Sequence, residues 1–179
     1  MKELSLHILD IAENSIKAKA SLVEITVCED MQKNLLTIEI KDNGCGMSDE
    51  FLKRVKDPFS TTRTTRRVGM GLSLFEAAAE QCDGSLKISS TEGIGTDVVV
   101  TFVLNHIDRA PLGDMAGTMQ TLIGGSPDID FLYRYTKDGK DFVLDTAKMR
   151  KELGDVPLDT PEVVLWIGDY INEGINELN

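Results

Sequence analysis

Asp42 lies just past the end of a β-branched, apolar stretch, Leu35 to Ile40, which is typical of a strand. It opens the string DNGCGM. A carboxylate there can accept a hydrogen bond from an exocyclic amine, and Gly44 and Gly46 let the backbone approach a flat ring closely. Adenine fits that description. An ordinary loop in which Asp42, Asn43 and two glycines turn the chain explains the string equally well, so the motif alone leaves both interpretations open.

The N-terminal segment, Leu4 to Ala18, predicts an amphipathic helix with a polar stripe opposite its apolar face. His7, Asp10, Asn14 and Lys17 fall within an arc of roughly 80° on that helix. An asparagine oxygen is a suitable ligand for Mg²⁺ that is held mainly by phosphates and water. A solvated helix face would show a similar stripe, so the interpretation depends on the strings that follow.

Two further strings predict phosphate contacts. Asp57 to Arg67, DPFSTTRTTRR, is rich in Thr and Arg, which predicts a mobile lid able to close over phosphates. Val68 to Leu72, VGMGL, then opens a predicted helix from Leu72 to Gln81, whose first N–H groups favour an anion. Gly93 to Thr96, GIGT, leads into a Val-rich strand, and a simple hairpin turn also explains that string.

In order and spacing, these strings resemble the boxes of the ATPase superfamily of gyrase, the heat-shock chaperone, histidine kinases and mismatch-repair ATPases. The catalytic domain of bacterial histidine kinases is the most similar, and the resemblance extends from about Leu4 to Leu104. It implies ATP and Mg²⁺ as cofactors. It also implies a Bergerat-type fold, which is an α/β two-layer sandwich of a mixed sheet with helices on one face.

The resemblance also assigns roles. Asn14 matches the Mg²⁺ ligand, Lys17 a basic residue that contacts phosphate, and Asp42 the aspartate that binds the adenine amine. Either Lys17 or Arg63 would meet the γ-phosphate. The other positions that it places at the nucleotide are Gly44, Gly46, Met47, Phe59, Thr62, Gly69, Met70, Gly71, Leu72 and Thr96.

Asp10 departs from the family pattern. Four residues before the asparagine, hydrolysing members carry a glutamate that activates water, and most histidine kinases carry an asparagine. A carboxylate can accept a proton from a nucleophile, so Asp10 is the candidate catalytic base. Its side chain is one methylene, roughly 1.5 Å, shorter than glutamate.

The phosphate acceptor is the second departure. Sensor kinases place a helical hairpin with a phosphoaccepting histidine before the catalytic domain, whereas here the predicted helix begins almost at Met1. Neither His7 nor His106 is expected to accept phosphate. We therefore expect a kinase that phosphorylates a partner protein in trans. The alternatives are a slow ATPase or nucleotide-dependent switch that regulates a partner, and a module that only senses ATP.

The composition of the chain limits the classes of partner and the cellular location that we expect. The 179 residues carry a net charge of -11, which disfavours nucleic acid because a phosphate backbone demands a basic surface. No apolar run reaches transmembrane length and no signal peptide opens the chain, so we expect a cytoplasmic protein without a membrane partner. Cys28, Cys45 and Cys82 are odd in number and widely spaced, which fits a reducing compartment.

The predicted ATP-binding domain covers residues 1–105. Residues 106–179 predict a small α+β module for docking or interaction, with a helix over Ala110 to Gly125, a hairpin and a long helix that starts near Thr160. The predicted strands of the first domain are Leu22 to Cys28, Leu35 to Lys41, Ser85 to Ser89 and Asp97 to Leu104. Its predicted helices start at Leu4, Asp49 and Leu72. In the C-terminal module, the two predicted strands of the hairpin are Ile129 to Tyr135 and Lys140 to Leu144.

Overall fold

The computed structural model describes residues 3–56 and 63–179, and for residues 63–69 it describes the backbone alone. In chain order its elements are α1 (Leu4–Lys17), β1 (Leu22–Asp30), β2 (Leu35–Asp42), α2 (Asp49–Lys56), α3 (Arg63–Gln81), β3 (Ser85–Thr91), β4 (Gly95–Val103), α4 (Met115–Gly125), β5 (Asp130–Lys137), β6 (Lys140–Asp145), α5 (Thr146–Leu153) and α6 (Pro161–Leu178).

The six strands form one sheet in the order β3-β4-β2-β1-β5-β6. Four of the pairings are antiparallel, and the pairing of β1 with β5 is parallel, so the sheet is mixed as predicted. The register places Asp42, the last residue of β2, opposite Val23 of β1 and Thr96 of β4. The strand end that carries Asp42 therefore lies beside the start of β4, where the GIGT string lies.

One face of the sheet is buried. Alternate residues of each central strand are buried, as the two-residue period of a strand requires, and these buried residues face one another across the register. In β1 and β2 they are Val23, Ile25, Val27, Leu36, Ile38 and Ile40. The helices cover this face, and the intervening side chains, such as Glu24 and Glu39, lie on the open face. The predicted α/β sandwich is confirmed.

The segment after residue 105 continues the same sheet. β5 pairs with β1 along eight residues, from Leu22 opposite Asp130 to Glu29 opposite Lys137. The chain just before α4 also closes the start of α1, because the backbone N–H groups of Leu4 and Ser5 donate to the carbonyls at positions 111 and 112. These donors would otherwise lack intrahelical partners. The division between residues 105 and 106 stays a prediction, and it falls between β4 and α4.

Helix α3 differs from the prediction. It begins at Arg63, not at Leu72, and continues through Gly69 and Gly71. Each glycine costs about 1 kcal/mol in a helix, but arginine favours helix and no proline interrupts this stretch, so the chain can remain helical. The N–H groups near Leu72 therefore lie within a helix and not at its first turn. Of the predicted lid, residues 57–62 lie outside the described residues and 63–67 belong to α3.

Two elements of the C-terminal half also differ. The helix predicted from Ala110 begins at Met115, because Pro111 and a positive φ of 86° at Gly113 precede Asp114, whose side chain caps the helix by accepting from Gly117 N–H. Helix α5 was not predicted. Asp145 starts it by accepting hydrogen bonds from the N–H groups of residues 147 and 148.

Candidate functional site

A cavity of about 290 Å³ lies between α1, the DNGCGM loop and the adjoining strands. This volume is near the lower end of small-molecule sites, roughly 300–1,000 Å³. Seven of the predicted site residues line the cavity: Asn14, Lys17, Asp42, Gly46, Met47, Leu72 and Thr96. The other lining residues are Ile11, Ser15, Ala18, Ile40, Cys45, Phe51, Ile88 and Val98. The wall is thus largely apolar, with polar groups confined to a few positions, as a flat aromatic ligand requires.

Asp42 is held in place by two donors. Its Oδ2 accepts a hydrogen bond from Ser15 Oγ at 2.6 Å, and its Oδ1 accepts from Gly44 N–H at 2.8 Å. Ser15 lies on α1 and is only 3% exposed. A carboxylate has about four acceptor sites, so capacity remains for a donor inside the cavity. The sequence reasoning missed Ser15, because its role depends on a contact with Asp42, which lies 27 residues further along the chain.

Thr96 belongs to a second polar group at the cavity wall. Its Oγ1 lies 2.8 Å from Ser90 Oγ, and that serine oxygen also accepts from Met47 N–H at 2.8 Å. The Ser90 hydroxyl lies 3.0 Å from the carbonyl oxygen of Gly95 as well. Ser90 thereby ties β3 and β4 to the end of the DNGCGM loop. The sequence reasoning missed Ser90 too, because a serine in an exposed-looking strand carries no distinctive pattern.

Glycine is required at two of the loop contacts. Gly46 has a φ of 68°, and a Cβ there would lie 2.1 Å from the carbonyl oxygen of Thr91. Gly95 has a φ of 149°, and its Cβ would lie 2.0 Å from the carbonyl oxygen of Asp42. Since real Cβ atoms do not approach backbone this closely, only glycine allows the loop to pack against the β3–β4 hairpin. Gly93 N–H completes that contact by donating to Cys45 carbonyl at 2.7 Å.

Gly44 and Asn43 have structural roles. A Cβ on Gly44 would lie 2.8 Å from the carbonyl oxygen of Ala18, so this glycine allows the loop to approach the end of α1, and it does not line the cavity. Asn43 Oδ1 accepts from the N–H groups of Ser21 and Leu22 at 2.8 and 2.9 Å. The turn that alternatively explained the string is therefore present. The carboxylate next to it nevertheless lines the cavity.

Asp10 lies at the contact between α1 and α3. A Cβ on Gly71 would meet Asp10 Cβ at 3.7 Å, and one turn away the ring of His7 stacks in parallel on Phe75 with centroids 4.8 Å apart. Asp10 is partly buried and does not line the cavity. His7 is buried, and burial lowers its pKa. The residues of the polar stripe on α1 therefore lie in different surroundings: Asn14 and Lys17 line the cavity, and His7 packs in the core.

The remaining predicted residues are placed as follows. Met70 is 57% exposed on α3 and does not line the cavity. Arg63 and Gly69 belong to α3, of which only the backbone is described there. Phe59 and Thr62 lie outside the described residues. Among the residues described, no three His, Cys, Asp or Glu side chains are grouped as a metal site.

Residues 2–106 match the protein family described as histidine kinase-, DNA gyrase B- and HSP90-like ATPases. This segment is more than half of the chain. The chain belongs to this ATPase family. The predicted superfamily is confirmed, and ATP is the expected occupant of the cavity that Asp42 lines.

The curated relatives of this ATPase-family chain include sensor kinases. It is 29% identical over 106 residues to the signal transduction histidine-protein kinase AtoS of Escherichia coli, which covers 59% of this chain and 17% of that protein. It is 32% identical over 109 residues to the sensor histidine kinase YxdK of Bacillus subtilis, which covers 57% of this chain and 33% of that protein. The chain spans between 13% and 33% of the length of the curated relatives it matches.

Solved structures show the same fold. The ATPase domain of MutL from Aquifex aeolicus, complexed with ADP, is similar with a TM-score of 0.52 and 16% sequence identity, over 81% of this chain and 63% of that chain. That coverage exceeds the 2–106 segment, so the likeness in fold continues past β4. In the described ranges, 3–56 and 63–179, no helix is long and apolar enough to cross a membrane.

Proposed function

We propose that this chain is a Mg²⁺-ATP-dependent phosphotransferase that passes the γ-phosphate to a partner protein. The observation that carries the proposal is the burial and contacts of the ring nitrogens of its two histidines, His7 and His106. A phosphoaccepting histidine needs a ring nitrogen with a free lone pair that the γ-phosphate can reach. Neither His7 nor His106 offers one, which supports an acceptor outside residues 1–179, and we place it on a partner protein.

His7 is enclosed. It is 4% exposed, its ring stacks on Phe75, and its Nδ1 is buried without a hydrogen-bond partner among the residues that the structure describes. A phosphoryl group on this ring would have to displace α3 from α1. Its position on the predicted nucleotide stripe is therefore explained by packing.

His106 has a neighbour at each ring nitrogen. Nδ1 accepts a hydrogen bond from Asp108 N–H at 3.1 Å, and Nε2 lies 3.5 Å from Asp83 Oδ2. The Nδ1 lone pair is therefore engaged, and the Asp83 carboxylate beside Nε2 would repel an incoming phosphate. His106 also follows β4 and does not line the cavity.

The cavity residues fit Mg²⁺-ATP. The Asp42 carboxylate faces an apolar slot suited to adenine, while the Asn14 carboxamide and the Lys17 ammonium are available to the metal and the phosphates. Arg63 is the second candidate for the γ-phosphate. When bound, Mg²⁺ supplies neutralisation of phosphate charge. Asn14 would supply one oxygen ligand to Mg²⁺, and the other ligands of the ion would be water and phosphate oxygens.

Asp10 is the proposed general base. It stands one helical turn before Asn14 on α1, so both project to the same side of the helix. A carboxylate at this position can take the proton of an attacking hydroxyl, imidazole or water. The same base serves the second candidate function, a slow ATPase or nucleotide-dependent switch, because water can replace the partner's side chain as the nucleophile.

The test uses the full chain with γ-labelled ATP and Mg²⁺. For a kinase acting in trans, we expect no label on the chain itself and little free phosphate, and a labelled second protein once extract from the source organism is added. Asp10→Asn should slow that transfer by about 10²–10⁴-fold, the usual contribution of a general base. Glu13→Gln, an exposed neighbour on α1, is the matched control and should leave the rate unchanged.

Other outcomes are equally decisive. Release of free phosphate by the chain alone, with no labelled protein in the extract, would establish the slow ATPase or switch. Label on the chain that is lost in His106→Gln would overturn transfer in trans. The acidic net charge of -11 supports a protein rather than a nucleic acid as partner, and a cytoplasmic location stays a prediction from the composition.

A further inference from the structure

A second cleft, of about 410 Å³, lies between α5 and α6, away from the ATP cavity. Its lining residues are Met149, Glu152, Leu153, Glu162, Val163 and Trp166. The floor is apolar, and two exposed carboxylates, Glu152 and Glu162, stand at the rim. None of the residues that line this described cleft is basic.

Trp166 is held with one ring face against the protein. Its indole stacks on Tyr170 with centroids 4.9 Å apart and an interplanar angle of 10°, and Tyr170 in turn packs on Phe142 at 5.1 Å. The Tyr170 hydroxyl lies 3.4 Å from the carbonyl oxygen of Val143, which it can donate to. Trp166 remains 51% exposed. The indole is therefore a fixed platform with an accessible surface at the cleft.

The charged residues that line the cleft have one sign. α6 carries four acidic residues, Glu162, Asp169, Glu173 and Glu177, and no lysine or arginine. On α5, Arg150 is paired with Asp130 at 2.7 Å, and Lys148 and Lys151 do not line the cleft. Glu162 precedes Trp166 by four residues, so the carboxylate and the indole lie on the same face of the helix.

We propose that this cleft docks a basic segment of a partner protein, which lays an arginine or lysine side chain over the exposed indole of Trp166 beside Glu152 and Glu162. A cation above a tryptophan ring gains a cation–π interaction, and nearby carboxylates add charge-assisted hydrogen bonds. The long apolar stem of either side chain suits the floor formed by Met149 and Leu153.

Charge decides against other occupants. A second copy would bring an identical acidic α6 and a net charge of -11 against this face, so like charges would oppose the contact. Nucleic acid and anionic lipid surfaces are repelled for the same reason. The proposal concerns binding alone, so it stands or fails independently of where the γ-phosphate goes.

The test uses the only tryptophan of the chain as a reporter. The nucleotide-free full chain is titrated with a capped hexa-arginine peptide at physiological salt, and both Trp166 fluorescence and calorimetry are recorded. We expect saturable binding that changes the fluorescence. The double variant Glu152→Gln with Glu162→Gln should weaken binding about tenfold, and Trp166→Phe, followed by calorimetry, should weaken it about threefold or more.

The matched control is Glu173→Gln with Glu177→Gln, which removes the same charge from exposed positions of α6 outside the cleft. It should change the affinity less than about twofold, since only the long-range field differs. Equal weakening by both double variants would overturn the proposal in favour of unspecific attraction to an acidic protein. So would calorimetric binding that leaves Trp166 fluorescence unchanged, or no binding at all.

Discussion

At the scale of single residues, the carboxylate of Asp42 is positioned by the protein before any ligand arrives. Ser15 Oγ and Gly44 N–H each occupy one of its oxygens. Both donors fix the orientation of the side chain. Because Ser15 is buried, losing its hydrogen bond to Asp42 would cost free energy. An adenine amine would therefore meet an acceptor that loses little side-chain freedom on binding.

Replacing Asp42 by asparagine tests this role. Asp42→Asn keeps the shape of the side chain but can present an N–H donor where an acceptor is needed, so we expect ATP binding to weaken by about 1–3 kcal/mol. Titration calorimetry measures the difference. Asp49→Asn, an exposed carboxylate at the start of α2, serves as control and should bind ATP like the parent. If Asp42→Asn kept the parent affinity, the adenine assignment would be wrong.

The sequence predicted this site in part. Asp42, Asn14 and Lys17 could be placed because each stands at a strand end or on a helix stripe, where position follows from local periodicity. Thr96 was placed by the family resemblance alone. Ser15 could not be assigned a role, because a serine on an apolar helix face acquires a function only through a partner 27 residues away. Its contact depends on the packing of α1 over β2, which no local pattern encodes.

At the scale of elements, the DNGCGM loop is fixed by its contact with the β3–β4 hairpin. Gly46 and Gly93 allow a matched comparison, because both have positive φ, 68° and 81°, but only Gly46 lies against backbone. Gly93→Ala should cost about 1 kcal/mol of unfolding free energy, the strain of a left-handed residue. Gly46→Ala should cost about 3 kcal/mol, because a Cβ would also displace Thr91.

Urea unfolding measures the loss of unfolding free energy in both variants, and calorimetry measures their affinity for ATP. We expect Gly46→Ala to weaken ATP binding as well, since the displaced loop carries cavity residues, and Gly93→Ala to bind ATP like the parent. Equal stabilities of the two variants would show that the loop does not depend on this close approach.

The open face of the sheet holds a carboxylate pair. Glu39 on β2 is diagonal to Asp97 on β4, and Asp97 Oδ1 is buried without a hydrogen-bond partner among the described residues. Burial, together with the Asp97 carboxylate, raises the pKa of Glu39. A raised pKa means that the ionised form of Glu39 is less favourable in the folded state. The pair therefore destabilises the fold at neutral pH.

Glu39→Gln should relieve this repulsion. The glutamine amide can donate to Asp97, so we expect the free energy of unfolding to rise by about 0.5–1 kcal/mol at pH 7, the usual scale of a cross-strand pair. The gain should shrink as the pH falls through the ordinary pKa range of glutamate, because Glu39 then takes up a proton in the folded and the unfolded state. Glu92→Gln in an exposed turn is the control. A gain that did not shrink on acidification would point to a cause other than charge.

The elements themselves were predicted well where the pattern was local. β1, β2, β4 and the hairpin of β5 and β6 follow from alternation and turn residues. The parallel pairing of β1 with β5 could not be predicted, since more than 100 residues separate the partners and many registers satisfy the same alternation. The predicted start of α3, at Leu72, is too late, because the Thr- and Arg-rich segment that precedes it favours a lid in the sequence but is helical from Arg63.

At the scale of the whole molecule, the C-terminal segment is joined to the ATP-binding segment through the sheet and through α1. β5 extends the sheet from β1, α4 packs on α1, and α6 packs on α4. α1 also carries Asn14, Ser15 and Lys17 to the cavity. Since buried contacts run from α6 to the cavity, the chain is expected to unfold as one cooperative unit.

The fluorescence of Trp166 can report whether the chain unfolds as one cooperative unit. It lies on α6 and does not line the ATP cavity, so ATP can change its unfolding only through the rest of the fold. At an ATP concentration about 100 times the dissociation constant, linkage stabilises the folded state by about 2.7 kcal/mol. For a chain of this size, the midpoint of thermal unfolding should rise by about 5–10 °C.

We expect Mg²⁺-ATP to raise the midpoint seen by Trp166 fluorescence and the midpoint seen by circular dichroism by the same amount. Asp42→Asn, at the same ATP concentration, should show a smaller rise by both probes, because the stabilisation is a function of affinity. A rise in the circular dichroism midpoint with no change at Trp166 would instead make residues 106–179 an independent unit, as the division at residue 105 predicts. Coincident midpoints would mean that α6 unfolds together with the ATP-binding segment, as the packing of α6 on α4 and of α4 on α1 leads us to expect.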